Sequence, residues 1–251
     1  MKKIIMLFIA CGFVSQSIAQ TFIEKAAITF EVKTNVKKTL GNSSWAEMLK
    51  ESMPQFKTGY YKYTFSNNKS VYQFDKWAEG PQVPEWFRKD DEQSIYFFDH
   101  TGGKFYQQKS LAGSIFTMED SIPQVKWRIT NENREIAGFN CRKAVGIIMD
   151  SVYVFAFYTD EIVIPGGPCT INGLPGMILG LTVPRLYTSF IATKVSVNGV
   201  DEALIKPVAA KKYTTRKELK TLMVERSKEW FNSDDEDSKN WRNQFIWGTL
   251  L

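Results

Sequence analysis

The sequence predicts a mainly β protein of the α+β class, a curved antiparallel sheet or half-barrel meander with a short N-terminal helix and a C-terminal helical segment packed on it. Three observations carry that reading. Apolar and polar residues alternate with a period of two through much of the chain. Short polar turn signals separate the alternating runs, as expected of strands joined in sequence. After Gly199 the period lengthens to that of a helix.

The chain opens with Met1-Lys2-Lys3, an apolar run from Ile4 to Ala10, and the small residues of Ser17-Ile18-Ala19. That pattern reads as a signal peptide over 1–19 cleaved after Ala19, with 20–251 as a single β-rich domain. The apolar run is shorter than the about 20 residues needed to span a bilayer, so no transmembrane span is expected. Cys11 raises the alternative of a lipidated anchor, but Phe8-Ile9-Ala10-Cys11 lacks the leucine usual three positions before such a cysteine. Removal of 1–19 takes two lysines and lowers the formal charge from +5 to +3. So small an excess argues for neither nucleic acid nor an anionic membrane as partner.

Alternation starts at once. Ile28, Phe30 and Val32 fall on one face of a strand. Ser43-Ser44 caps a short helix in which Trp45, Met48, Leu49 and Met53 share a face up to Pro54. Tyr60 to Phe65 and Ser70 to Phe74 form a hairpin about Ser66-Asn67-Asn68-Lys69. Ile95 to Phe98 and Lys104 to Gln108 form another about His100-Thr101-Gly102-Gly103. Between them, Gly80 to Arg88 reads as a loop in which Trp86 packs over a sheet edge.

From Lys126 the strands follow one another: Trp127 to Thr130, Arg134 to Gly138, Cys141 to Met149 and Val152 to Thr159, with turns at Asn131-Glu132-Asn133 and Asp150-Ser151. Met177 to Val183 and Ser189 to Val197 resume the meander, with Pro184 at the bend. Thr215-Arg216-Lys217-Glu218 is a capping box that starts a helix carrying Leu219, Leu222, Met223 and Trp230. Asp234-Asp235-Glu236-Asp237 reads as a solvated turn, and Trp241, Phe245 and Trp247 dock the tail back onto the body.

Most catalytic arrangements fail by arithmetic. His100 is the one histidine, which leaves a Ser/His/Asp triad or a His-rich zinc site a single imidazole. Its place beside Thr101-Gly102-Gly103 reads as a solvated turn. Neither a phosphate-binding loop nor a nucleophile elbow is present. Cys141, Cys169, Met177 and His100 are soft donors for copper(I), but without metal-ligand spacing. No cofactor, metal or catalytic residue is expected.

Cys141 and Cys169 remain in the mature chain. Exported proteins meet oxidising conditions, so a Cys141–Cys169 disulfide would close a loop worth about 3–4 kcal/mol in the entropic model. Two buried free thiols are the alternative.

The segment from Ile164 to Leu179, IPGGPCTINGLPGMIL, concentrates glycine and proline. Gly173 and Gly176 permit positive φ or close approach, and Pro175 holds Leu174 extended. Together with REIAGFNCRKAVG before it, this block resembles the GLPGLI family of exported Bacteroidetes proteins. The motif stands here as Gly173-Leu174-Pro175-Gly176-Met177-Ile178, with Met177 in place of leucine. The resemblance implies a periplasmic protein, in some cases associated with the outer membrane, beside TonB-dependent transporters. It brings no catalytic residues.

Three functions follow. The first is a non-enzymatic binding or accessory protein that offers the motif residues, or a sheet edge, to an outer-membrane or periplasmic protein. The second is a carrier of an apolar, lipid-like ligand in a half-open barrel lined by Trp86, Tyr96, Phe98, Phe155 and Phe157. The third is a hydrolase acting on peptide or glycan through paired carboxylates.

Overall fold

A computed structural model describes residues 23–42, 44–111, 113–230 and 236–251. The predicted signal peptide with Ala19 and Cys11, the cap residue Ser43, and Asp234-Asp235 lie outside the described residues. Among the described residues no helix is long and apolar enough to cross a membrane.

Eleven strands form one antiparallel sheet: β1 (Ala26–Asn35), β2 (Phe56–Ser66), β3 (Lys69–Trp77), β4 (Ile95–Asp99), β5 (Lys104–Leu111), β6 (Ser114–Ser121), β7 (Lys126–Ile136), β8 (Phe139–Ile148), β9 (Val152–Thr159), β10 (Met177–Val183) and β11 (Thr188–Ser196). Their order is β6-β5-β4-β3-β2-β1-β11-β10-β9-β8-β7. Two meanders are therefore stitched together where β1 pairs with β11, from Ala27↔Ser196 to Thr34↔Thr188. The sheet is curved but not closed. Both hairpins occur as predicted. Asn67 and Asn68 take φ of 51° and 56°, the conformation that a two-residue turn between twisted strands requires.

The helices are α1 (Val36–Thr39), α2 (Ser44–Ser52), α3 (Glu85–Glu92), α4 (Arg216–Trp230) and α5 (Glu236–Leu250). The capping box forms: Glu218 N–H donates to Thr215 Oγ1 at 3.2 Å, and Thr215 N–H donates to Glu218 Oε2 at 2.7 Å. Just before it, Thr214 pairs with β6, its N–H donating to Thr117 O at 2.9 Å while Glu119 N–H donates to Thr214 O at 3.0 Å. That bridge satisfies backbone groups on an edge strand otherwise open to another chain.

Several expectations need correction. Arg134 to Gly138 is not a separate strand: β7 runs through Asn131-Glu132-Asn133 with an irregularity between Ile129 and Asn133. Its polar residues face solvent on an edge strand, and the chain turns instead at Ala137-Gly138, with φ of 51° and 84°. Gly80 to Arg88 runs into α3, where Trp86 is 58% exposed and does not cover a sheet edge. On α2, Met48 is 64% exposed, while Ala46 and, just past the helix, Met53 are buried. Strand β6 and helix α5 are additions, because an edge strand and a lid helix each carry only a weak apolar period.

The main core lies on the inner face of the sheet, where Ile28, Phe30, Tyr63, Phe65, Tyr72 and Phe105 are fully buried. Burying each such side chain contributes about 1.5–3 kcal/mol. A small second core at one end gathers Val36, Leu40, Ala46, Met53 and Val83 from α1, α2 and the approach to α3, with Trp241 of α5 against it.

Candidate functional site

The 17-residue connection between β9 and β10, 160–176, has no regular secondary structure yet carries the buried Ile162, Ile164, Ile171 and Leu174. A loop can be buried only if its backbone groups find partners. Here Met177 N–H donates to Ile162 O at 3.0 Å, Ile178 N–H to Gly166 O at 2.9 Å, and Trp127 Nε1 to Asn172 O at 2.9 Å. Thr170 N–H donates to Leu251 O at 2.9 Å, which ties the loop to the end of α5.

Close approach explains the glycines. A Cβ on Gly166 would sit 2.0 Å from the Tyr63 hydroxyl of β2, so the loop backbone lies directly against the inner face of the sheet. A Cβ on Gly176, whose φ is +143°, would sit 2.0 Å from Thr159 O. Of the motif, Leu174, Gly176, Met177 and Ile178 are buried, and only Gly173 and Pro175 are exposed. The segment is thus an internal plug in the half-barrel.

Cys169 sits near the tip of this plug, and Cys141 lies on β8. Both are buried and free, so the disulfide does not form. Burial, the largest cause in both cases, pushes the pKa of each thiol up to about 12. Spacing in the sequence could not reveal this, because a disulfide depends on the Cβ vectors and not on loop length.

The plug leaves one side of the half-barrel unfilled. A cavity of about 310 Å³ lies there between the inner face of β1–β5 and β11 and the helices α1, α3 and α5. Its apolar wall includes Val32, Val36, Phe87, Leu186, Phe190 and Phe245. Helix α5 forms part of that wall. Trp241 Nε1 donates to Leu40 O at 2.8 Å and Gln244 Nε2 to Arg185 O, which fixes the helix across the opening. Gly248 of α5 lines the cavity, and a Cβ there would meet nothing within 4 Å.

The opposite wall is polar and aromatic. Tyr61 stacks on Tyr72 at 5.3 Å between ring centroids, and Tyr72 meets Tyr96 at 5.7 Å. Lys57 forms an ion pair with Asp91, whose other carboxylate oxygen accepts from the Tyr61 hydroxyl at 3.1 Å. Lys109 Nζ donates to Gly248 O and, at 3.2 Å, to Thr249 O near the C-terminal end of α5, where a cation is favoured. Burial pushes the Lys109 ammonium below, and the hydroxyls of Tyr61, Tyr72 and Tyr96 well above, their ordinary values. The Tyr72 hydroxyl is buried without a hydrogen-bond partner among the described residues.

Of the five aromatic residues expected to line a barrel, Tyr96 alone does so. Phe98 is buried between Phe105 and His100, and Trp86 faces solvent. Phe155 and Phe157 point away from the buried Val154, Ala156 and Tyr158, beneath Lys143 and Arg134. Tyr61, Tyr72, Lys109 and Phe190 line the cavity without having been singled out in the sequence. Their inward register could be read from alternation, but only pairing across four strands brings them to one cavity.

His100 is half-buried in its turn and not freely solvated: Nε2 lies 3.0 Å from Ser70 Oγ, and burial lowers its pKa. Ser70 is fully buried and already accepts from the Tyr63 hydroxyl at 2.8 Å, so this pair presents no accessible nucleophile. Among the described residues no three His, Cys, Asp or Glu side chains gather in a metal-binding group.

No family model and no curated protein matches the chain. Among solved structures it is similar to PNGF-II in space group P21, with a TM-score of 0.49 and 14% identity over 76% of this chain. PNGF-II in space group C2 aligns with the same TM-score and identity over 89% of this chain. The chain spans only 31% and 32% of those two chains. An uncharacterized conserved protein from Thermus thermophilus aligns with a TM-score of 0.37 and 9% identity, over 75% of this chain and 88% of that one.

Proposed function

We propose that this is a non-enzymatic binding protein of the periplasm that carries an apolar, acyl-like ligand in its half-barrel. The observation that carries this reading is the cavity of about 310 Å³ beneath α5, a size within the range of small-molecule sites. Its composition fits as well: an apolar wall faces a short polar one, the arrangement that orients an amphipathic guest. Gly248 adds support. Glycine inside a helix costs about 0.5–1 kcal/mol relative to alanine, and here it leaves space on the cavity side. The signal-like N-terminus and the GLPGLI-like block support export. Delivery to an outer-membrane partner is compatible with a carrier, but most of the motif is buried and offers such a partner little side-chain surface.

Binding is tested by titrating the purified protein with N-phenyl-1-naphthylamine, a probe that fluoresces in apolar sites, beside a Gly248→Leu variant. The wild type should enhance the probe's fluorescence saturably, and the variant should lose most of that binding while melting no lower. Equal binding by the two proteins would count against this cavity as the site. An absence of saturable binding, with a crosslinked membrane protein recovered from cells, would favour the accessory-protein function.

A further inference from the structure

The polar wall of the cavity carries donors without acceptors to match them. Tyr72 lines the cavity and is 1% exposed, and its buried hydroxyl has no hydrogen-bond partner among the described residues. Lys109 uses two of the three ammonium protons on Gly248 O and Thr249 O. Its remaining proton is on the same wall, with the ammonium 6.0 Å from the centre of the Tyr96 ring that also touches Tyr72. Among the side chains of the described residues Asp91 is the only carboxylate on the wall, and both its oxygens are already engaged, by Lys57 and Tyr61. An unpartnered buried donor is costly, so a guest that supplies an acceptor oxygen gains what the empty wall lacks.

The geometry points to a ligand with an acyl chain against Val32, Phe190 and Phe245, whose carboxyl oxygen accepts from Tyr72 and Lys109. This rests on the proposed ligand binding and names its chemical class. A cationic head finds no free side-chain carboxylate among the described residues of that wall and meets two lysines. An acceptor head satisfies the tyrosine hydroxyl without disturbing the Lys57–Asp91–Tyr61 arrangement. The carboxyl oxygen could belong to a free fatty acid or to an acyl ester, and both present the same acceptor.

The test is displacement of N-phenyl-1-naphthylamine by dodecanoate, methyl dodecanoate and dodecylammonium, on wild type and on Tyr72→Phe. That substitution removes only the hydroxyl and leaves the ring stack on Tyr61 in place, so thermal stability should be kept. The wild type should bind dodecanoate at least about tenfold tighter than dodecylammonium, and Tyr72→Phe should weaken dodecanoate by about tenfold more than it weakens the probe. Methyl dodecanoate equal to dodecanoate would assign the oxygen to an ester, and a weaker ester would assign it to a free acid; both support the acyl carboxyl class. Unchanged dodecanoate affinity in Tyr72→Phe, or dodecylammonium binding as tightly as dodecanoate, would overturn the assignment and leave apolar binding standing. Failure of the wild type to bind the probe at all would instead remove the cavity as a ligand site.

Discussion

Replacing Gly176 by alanine isolates what the Gly/Pro plug demands of its backbone. The residue has φ of +143°, a region that a residue with a Cβ occupies at a cost of about 1–3 kcal/mol. Its new Cβ would also lie 2.0 Å from Thr159 O, 2.8 Å from Thr159 C and 3.0 Å from Asp160 Cα. These are backbone atoms at the end of β9, held by the pairing Met177↔Thr159, and cannot swing aside as a side chain would. Relieving such overpacking adds about 1–3 kcal/mol. The sum is about 4 kcal/mol, which for a domain of this size lowers the melting temperature by about 8–16 °C. Gly173→Ala is the control. Its φ is +93°, but the nearest atom to its Cβ, Trp127 Nε1, is 3.6 Å away, so it bears only the first cost. Thermal unfolding followed by circular dichroism should therefore show a loss at Gly176 at least about twice that at Gly173. Equal losses would refute the claim that contact with Thr159, beyond φ alone, makes glycine necessary.

Three other outcomes are expected. The native protein should not react with Ellman's reagent at Cys141 or Cys169 and both should react after denaturation; a native mass two hydrogens lighter, or a melting temperature lowered by reductant, would contradict the buried free thiols. Because burial raises both thiols from 9.0 to about 12, and raises Tyr61, Tyr72 and Tyr96 in the same direction, the stability these groups contribute is present below their unfolded values and lost as pH rises through the folded ones. The urea midpoint should thus fall as pH rises above about 9, and less steeply in Cys169→Ala; parallel curves would argue against the burial of Cys169. Thr215→Ala should cost about 1 kcal/mol in urea unfolding through loss of the α4 cap, and an unchanged midpoint would mean that the bridge at Thr214 alone holds that end of the helix.

Strands with one buried face were legible because alternation is written residue by residue. Ile28, Phe30 and Val32 fall where their period places them. Elements at the periphery were harder to read. Asn131-Glu132-Asn133 look like a turn, but on an exposed edge strand polar residues cost nothing, so β7 continues through them. Likewise Trp86 suggests packing, yet α3 turns it outward and sends Phe87 to the cavity.

The segment IPGGPCTINGLPG divides the two kinds of information. Local chemistry alone determined that it bends and permits close approach, because glycine and proline act through φ and the missing Cβ. It likewise determined the α4 cap and the alternation of the core strands. Only the tertiary structure decided what the bend approaches, namely Tyr63 and Thr159 inside a half-barrel. It also decided that Cys141 and Cys169 stay apart, and that Tyr72, Lys109 and Gly248 share one cavity. The physical reason is range: backbone preference and periodicity act over a few residues, whereas a cavity wall is assembled from strands whose pairing joins positions more than a hundred residues apart.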